Sequence, residues 1–110
     1  NIFDIIIDDG SHKLSDMLIA FKYFFNNLRK NGFYIIEDYK FPNYFKHLDD
    51  IQHDKLDVVM NNLKNKKIFN SKIFDESFQR KLHNSIKKIS LHQGNSEYSN
   101  IAFIQKNVQF

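Results

Sequence analysis

The sequence contains no cysteine and only one proline, and it has no long uninterrupted run of apolar residues. Without cysteine, the chain has neither a disulfide framework nor thiolate ligands for a structural zinc ion. No stretch resembles a secretory signal or a membrane-spanning segment, which needs about 20 consecutive apolar residues. These absences predict a cytoplasmic setting with no membrane partner.

The length of 110 residues suits one small domain with a single hydrophobic core and is too short for two. The chain begins at Asn1 rather than Met and enters an apolar stretch almost at once. We therefore expect residues 1–110 to form a single, partial domain that belongs to a longer polypeptide.

The net charge of +3 conceals an uneven distribution along the chain. Residues 1–60 carry more acidic than basic side chains, whereas residues 61–90 carry eight lysines and arginines against two acidic residues. A basic module that binds phosphate-bearing ligands is therefore one alternative function. Because the lysines are spaced along predicted helices and not clustered with aromatic residues, a solvated helix face is favoured and no nucleic-acid partner is predicted.

The first 37 residues have the pattern of a strand, a helix and a second strand. The apolar segment 3–8 predicts a central parallel strand that is buried on both faces. Apolar residues then recur at helical spacing, and we expect Ser15 to cap this helix and Asn31-Gly32 to end it. A second strand is predicted over residues 33–37. A strand–helix–strand unit of this kind joins parallel strands by a right-handed crossover.

The remaining sequence predicts a loop around Pro42, two helices and two strands. Apolar spacing indicates helices over residues 56–63 and around residues 78–89. Strands are predicted over residues 88–92 and 101–106, and the short polar turn between them makes the pair antiparallel. The predicted fold class is therefore α/β, with a parallel βαβ unit followed by helices and an antiparallel terminal strand pair.

Two acidic clusters follow the two predicted parallel strands. Asp9 and His12 lie just after the first strand, while Glu37 and Asp38 end the second. Because the carboxyl ends of parallel neighbours meet at one sheet edge, we expect these side chains to share a site. Carboxylate oxygens favour Mg²⁺, Mn²⁺ or Ca²⁺ over Zn²⁺, and a nearby imidazole can take a proton from a hydroxyl group near neutral pH.

Ordinary structural roles compete with this interpretation. Acidic residues near a helix start offset the helix dipole and are common in turns, and we favour that role for Asp8 and Asp16. The other histidines have no such pair of acidic clusters at neighbouring strand ends, and we expect each on the surface or in a loop: His47, His53, His83 and His92.

The order of elements and two sequence stretches resemble a known family. The stretches are Phe-Asp-Ile-Ile-Ile-Asp-Asp-Gly-Ser-His at residues 3–12 and Leu-Arg-Lys-Asn-Gly-Phe-Tyr-Ile-Ile-Glu-Asp at residues 28–38. They resemble the C-terminal half of class I S-adenosylmethionine-dependent methyltransferases, especially the metal-dependent sugar O-methyltransferases of the mycinamicin type. The resemblance implies the C-terminal half of a Rossmann-like methyltransferase sheet.

The resemblance also implies functional roles. Asp9, Glu37 and Asp38 would bind Mg²⁺, and His12 would be the catalytic base. The cofactor would be S-adenosylmethionine, and the acceptor would be a hydroxyl group of a sugar or a glycosylated small molecule.

The three glycines lie far apart in the sequence, at positions 10, 32 and 94, so no glycine-rich cofactor turn is present. We therefore assign no cofactor-binding residue in this chain. The alternative function is that of a non-catalytic, truncated methyltransferase or an interaction module that depends on a partner, including self-association through an exposed sheet edge.

Overall fold

In the computed structural model, residues 2–107 are described, and within them four strands form one mixed sheet. The spatial order is β1-β2-β4-β3, with β1 and β2 parallel and the other neighbours antiparallel. The strand bounds are β1 Phe3–Asp8, β2 Leu28–Glu37, β3 Ile86–Gln93 and β4 Asn100–Lys106. This arrangement confirms the predicted α/β architecture.

Four α-helices accompany the sheet, and short 3₁₀ turns at Phe25–Asn27 and Lys46–Leu48 complete the regular structure of the described residues. The helix bounds are α1 Leu14–Phe24, α2 Phe41–Tyr44, α3 Leu56–Lys64 and α4 Glu76–Ser85. Within the described residues, no helix is both long enough and apolar enough to cross a membrane.

The expected boundaries of α1 are wrong at both ends. The helix begins at Leu14, so the cap position is Lys13, which makes no side-chain cap. Ser15 lies inside the first turn, where its hydroxyl and backbone N–H groups donate to the carboxylate of Asp50. At the other end the helix stops at Phe24, and β2 already begins at Leu28. Asn31 does adopt the left-handed conformation, with φ of 67°, but it does so inside β2 and not as a helix cap.

The second half of the chain follows the predicted element order. The prediction of a helix around 78–89 extends too far, because α4 ends at Ser85 and Ile86 starts β3. Asp75 caps α4, and its carboxylate accepts a hydrogen bond from the backbone N–H of Phe78 at 2.8 Å. The pair β3 and β4 is antiparallel, as expected from the short turn.

A single hydrophobic core joins α1, α3 and α4 to one face of the sheet. Every second residue of β2 and β4 points into it, since side chains alternate between the faces of a strand. The sheet contributes Leu28, Tyr34, Ile36, Ile89, Ala102 and Ile104 to this core.

The opposite face of the sheet, which we call the uncovered face, has no helix on it within residues 2–107. The register aligns Ile5 with Phe33, and Ile7 with Ile35 and then Phe103. Ile5 and Ile7 are 57% and 59% exposed. The expectation that the first strand is central and buried on both faces is therefore wrong for the described residues: β1 is an edge strand that pairs only with β2. The side chains of β1 are apolar enough for burial on both faces of the sheet. Within residues 2–107, however, only the face that contacts the core is covered.

Candidate active site

The carboxyl ends of β1 and β2 bring three predicted site residues together. The Nε2 atom of His12 lies 3.3 Å from Asp9 Oδ1 and 3.7 Å from Asp38 Oδ2. Each of the three residues offers a ligand atom within 4.8 Å of the other two. We call Asp9, His12 and Asp38 the carboxylate–imidazole group.

The backbone around this group is in an unusual conformation. His12 and Asp38 have φ values of 65° and 57°, in the left-handed region that costs a non-glycine residue about 1 kcal/mol or more. The N–H of Asp38 donates to the carbonyl of Asn100 at 2.6 Å, which ties the end of β2 to the start of β4. This turn directs the Asp38 side chain toward His12.

The imidazole of His12 is held in a partly apolar setting. Its side chain is 17% exposed, and its ring lies 4.7 Å from the ring of Phe41, centroid to centroid. The Nε2 atom is buried and has no hydrogen-bond partner among the described residues. The ring is therefore fixed by packing, while the nitrogen that faces the two carboxylates is available to another group.

Glu37 lies outside the carboxylate–imidazole group. It is the last residue of β2 and is half-buried, next to Ile36, which belongs to the core. Strand alternation directs Glu37 toward the uncovered face, where it aligns with Ile101. The role of Glu37 as a metal ligand therefore stays a prediction.

Asp8 has the structural role in a turn that the sequence predicted. Its Oδ1 accepts the N–H of Gly10 at 3.1 Å, so this carboxylate shapes the turn that presents Asp9 and His12. Burial raises the pKa of Asp8, against the lowering effect of that hydrogen bond and of His12, and its Oδ2 is buried without a partner among the described residues. The Asp-x-Gly spacing, which is typical of side-chain-stabilised turns, was the available signal. No comparable signal pointed to Phe41.

The four other histidines lie outside this group. As predicted, His47 and His92 are exposed and His53 lies in a loop, whereas His83 is partly buried in α4.

Comparison with known proteins gives short but strong sequence matches. L-olivosyl-oleandolide 3-O-methyltransferase of Streptomyces antibioticus is 56% identical over 36 residues, which is 33% of this chain and 9% of that protein. The 8-demethyl-8-(2-methoxy-alpha-L-rhamnosyl)-tetracenomycin-C 3'-O-methyltransferase of Streptomyces olivaceus is 53% identical over 36 residues, with the same two shares. A scan against models of protein families gives no match.

Solved structures match nearly the whole chain. The MycE methyltransferase of the mycinamycin biosynthetic pathway, in complex with Mg, SAH and mycinamycin VI, superposes with a TM-score of 0.65 and 25% identity over 96% of this chain. A second crystal form of MycE, with Mg and SAH, gives a TM-score of 0.64 and 24% identity over 98% of this chain. The chain resembles the mycinamicin-type sugar O-methyltransferases.

The predicted resemblance to the mycinamicin-type enzymes and the predicted α/β fold class are thus confirmed. This chain spans about a quarter of the MycE chain, 26% in the complex with mycinamycin VI, and the matches to the curated relatives span 9% of their length. The mycinamicin-type fold therefore extends well beyond the part that this sequence represents.

The matched MycE structures contain Mg, and the side chains of the carboxylate–imidazole group suit a divalent cation of this kind. Two carboxylates close to one another repel, and a cation offsets that repulsion. Asp9 and Asp38 offer oxygen ligands, which suit Mg²⁺ or Mn²⁺. Asp9 and Asp38 are the residues that could hold such an ion.

Proposed function

We propose that this chain is the acceptor-activating part of an S-adenosylmethionine-dependent O-methyltransferase that acts on a hydroxyl group of a sugar or a glycosylated small molecule. The observation that carries the proposal is the convergence of Asp9, His12 and Asp38 at the ends of two parallel strands. The likeness to sugar O-methyltransferases supports the class of acceptor.

In this proposal, His12 is the base that receives the hydroxyl proton. Its Nε2 atom is the acceptor, because it faces the site and has no hydrogen-bond partner among the described residues. The carboxylates of Asp9 and Asp38 stabilise the imidazolium that forms, since both lie within 4 Å of the nitrogen. Phe41 keeps the ring in place, so that little motion is needed during the transfer.

Two cofactors complete the proposal. A divalent cation such as Mg²⁺, when bound, would lower the pKa of a nearby hydroxyl group and offset the repulsion between the two carboxylates. S-adenosylmethionine would supply the methyl group, with its C–S bond breaking as the new C–O bond forms. Asp9 and Asp38 would hold the cation, and Glu37, which lies outside the carboxylate–imidazole group, is retained as a third proposed ligand.

Cation binding tests the site separately from catalysis. We expect the chain to bind Mn²⁺, and Asp38→Asn to weaken that binding at least tenfold, because a charged ligand is lost. Titration followed by electron paramagnetic resonance measures the free ion directly. The matched control is Asp4→Asn, which removes the same charge from an exposed position on β1. Equal affinity in Asp38→Asn and the unsubstituted chain would contradict the proposed cation site.

An interaction module without catalysis is a second candidate, and the exposed edge and face of β1 favour it. Phe3, Ile5 and Ile7 place apolar surface in water, which self-association or a partner would remove. On this alternative, we expect the 110-residue chain to form dimers or larger species in light scattering after gel filtration.

Ile7→Lys is then expected to shift the chain toward monomer, because a lysine on the uncovered face opposes its burial. Ile19→Lys, at an exposed position on α1, is the control. A monomeric unsubstituted chain at all accessible concentrations would contradict self-association.

A further inference from the structure

The sheet has a second edge, on the side opposite β1. Within residues 2–107, β3 pairs with β4 and with no other strand. In a strand that is paired on one side only, alternate residues direct their backbone N–H and C=O groups away from the neighbouring strand. These groups can pair with another extended peptide. We call the side of β3 that faces away from β4 the β3 edge.

A groove of about 470 Å³ runs along the β3 edge. It is formed by β3, by the end of α3 and by His83 of α4. Its apolar lining includes Ile86 and Leu91, which are only partly buried against the core. A strand added at the β3 edge would cover these side chains further, and burial of apolar surface is favourable. The groove therefore offers apolar contacts next to unpaired backbone groups.

The charged side chains that line the groove are all basic. Among the described residues, four lysines line it and no aspartate or glutamate does. Lys64, Lys66 and Lys88 are exposed and form no salt bridge within residues 2–107. The fourth, Lys87, donates to the side-chain oxygen of Asn31 at 3.4 Å. Carboxylates brought to this groove would therefore meet cations that have no acidic partner in the described part of the chain.

The helix dipole explains one of these lysines but not the others. Lys64 is in the last turn of α3, where a cation offsets the dipole. Lys66 follows the helix with a φ of 56°, in a turn where the N–H of Lys67 donates to the carbonyl of Asn62 at 2.8 Å. Lys88 lies on β3 itself. Two different elements thus present positive charge to the same groove.

Backbone and charge together limit the occupant of the β3 edge. A second copy of β3 would bring two positively charged strands together, and like charges on neighbouring strands are destabilising. A nucleic acid cannot extend a ladder of peptide hydrogen bonds, and the described lining has no Phe or Tyr ring on which bases could stack. An extended peptide with acidic side chains suits both the unpaired backbone groups and the lysines.

We propose that the β3 edge docks an extended acidic segment of a partner protein, which adds to the sheet as a further strand. The backbone of this segment would pair with β3, its apolar side chains would cover Leu91, and its carboxylates would contact Lys66 and Lys88. The surface is separate from the proposed methyl transfer, because no member of the carboxylate–imidazole group lines the groove.

Peptide binding tests this docking site. The probe is a fluorescein-labelled peptide of alternating glutamate and valine, about eight residues long, which is an ordinary strand length. We expect it to bind the 110-residue chain in fluorescence anisotropy, and to bind more weakly as the salt concentration rises.

Two comparison peptides separate charge from strand pairing. One has lysine in place of every glutamate, which reverses the charge. The other keeps the glutamates but has proline in place of two valines, which removes backbone donors and opposes strand pairing. We expect neither peptide to bind measurably.

Hydrogen exchange locates the bound peptide. We expect the glutamate–valine peptide to slow exchange of alternate backbone amides within Ile86–Gln93, because these amides gain a hydrogen-bond acceptor. The amides of β1 are expected to exchange at an unchanged rate. Two-dimensional ¹H–¹⁵N spectra of the isotope-labelled chain measure both strands in one experiment.

Lys66→Glu combined with Lys88→Glu is expected to weaken peptide binding by about tenfold or more, because two attractive charges become repulsive. The matched control combines Lys30→Glu with Lys72→Glu, which makes the same change in net charge at exposed positions outside the groove. All four lysines are exposed, so we expect both double variants to give folded spectra.

Four results would overturn the docking site: equal binding of the proline-containing peptide, equal weakening in the two double variants, no protection within β3, or equally tight binding of an oligothymidylate of similar length. Protection of β3 that rises with the concentration of the chain alone would show a second copy at the edge, and would also contradict the proposal. None of these results bears on the role of His12 or on the proposed cation site.

Discussion

Replacing His12 with alanine is expected to lower the rate of methyl transfer by about 10²- to 10⁴-fold, the usual contribution of a general base. The physical reason is that His12 Nε2 is the one nitrogen base within 4 Å of both carboxylates in the described site. Without it, the hydroxyl proton must leave to water, which is neither positioned nor stabilised by Asp9 and Asp38.

The measurement is transfer of a labelled methyl group from S-adenosylmethionine to a rhamnoside, with the full-length protein and saturating Mg²⁺. We expect the loss in kcat, with little change in the KM for S-adenosylmethionine, because His12 acts on the acceptor. His47→Ala, at an exposed position in a 3₁₀ turn, is the control and should retain activity. A His12→Ala variant within about threefold of the unsubstituted enzyme would contradict the assigned role.

The proximity of Asp9 and Asp38 could be predicted because it requires only that the two strands before them are parallel neighbours. Parallel strands end at the same edge, and the residues that follow them must emerge together. The apolar run before each cluster and the helical spacing between them established the parallel pair. Local sequence was therefore sufficient to place these two carboxylates.

Glu37 could not be separated from Asp38 in the same way. Both are acidic and adjacent, but strand alternation continues through Glu37 and then breaks at Asp38, whose φ is positive. The break depends on the contact of Asp38 with Asn100, which is 62 positions away along the chain. A hydrogen bond between residues this far apart in the chain cannot be inferred from the local pattern of apolar and polar residues.

Two further features were also beyond local reasoning. Ser15 was expected to cap α1, but it lies inside the first turn, and its hydroxyl and N–H groups donate to the carboxylate of Asp50. Lys106 is fully buried in β4, where its Nζ donates to the carbonyl of Leu28 at 2.8 Å, and burial lowers its pKa. A lysine at a strand end ordinarily predicts an exposed side chain, and only the packed structure places it inside.

Phe21→Ala is expected to destabilise the fold by about 3–5 kcal/mol, the usual cost of truncating a buried phenylalanine. Phe21 is fully buried in α1, and its ring lies 5.1 Å from Phe25, 5.2 Å from Tyr34 and 6.0 Å from Phe74. It therefore joins α1 to the sheet and to the segment before α4. Small domains have only about 5–15 kcal/mol of stability, so this loss leaves a substantial unfolded population.

Phe24→Ala is the matched control, because it makes the same chemical change in the same helix. Phe24 is 50% exposed at the end of α1, beside β1, so we expect a cost of about 1 kcal/mol or less. Urea unfolding followed by circular dichroism measures both variants. The two variants lose the same side-chain atoms, so the larger cost of Phe21→Ala measures the burial of its ring. Equal costs would show that Phe24 is covered in solution, and dilution would then reveal whether a second copy covers it, because self-association makes stability depend on protein concentration.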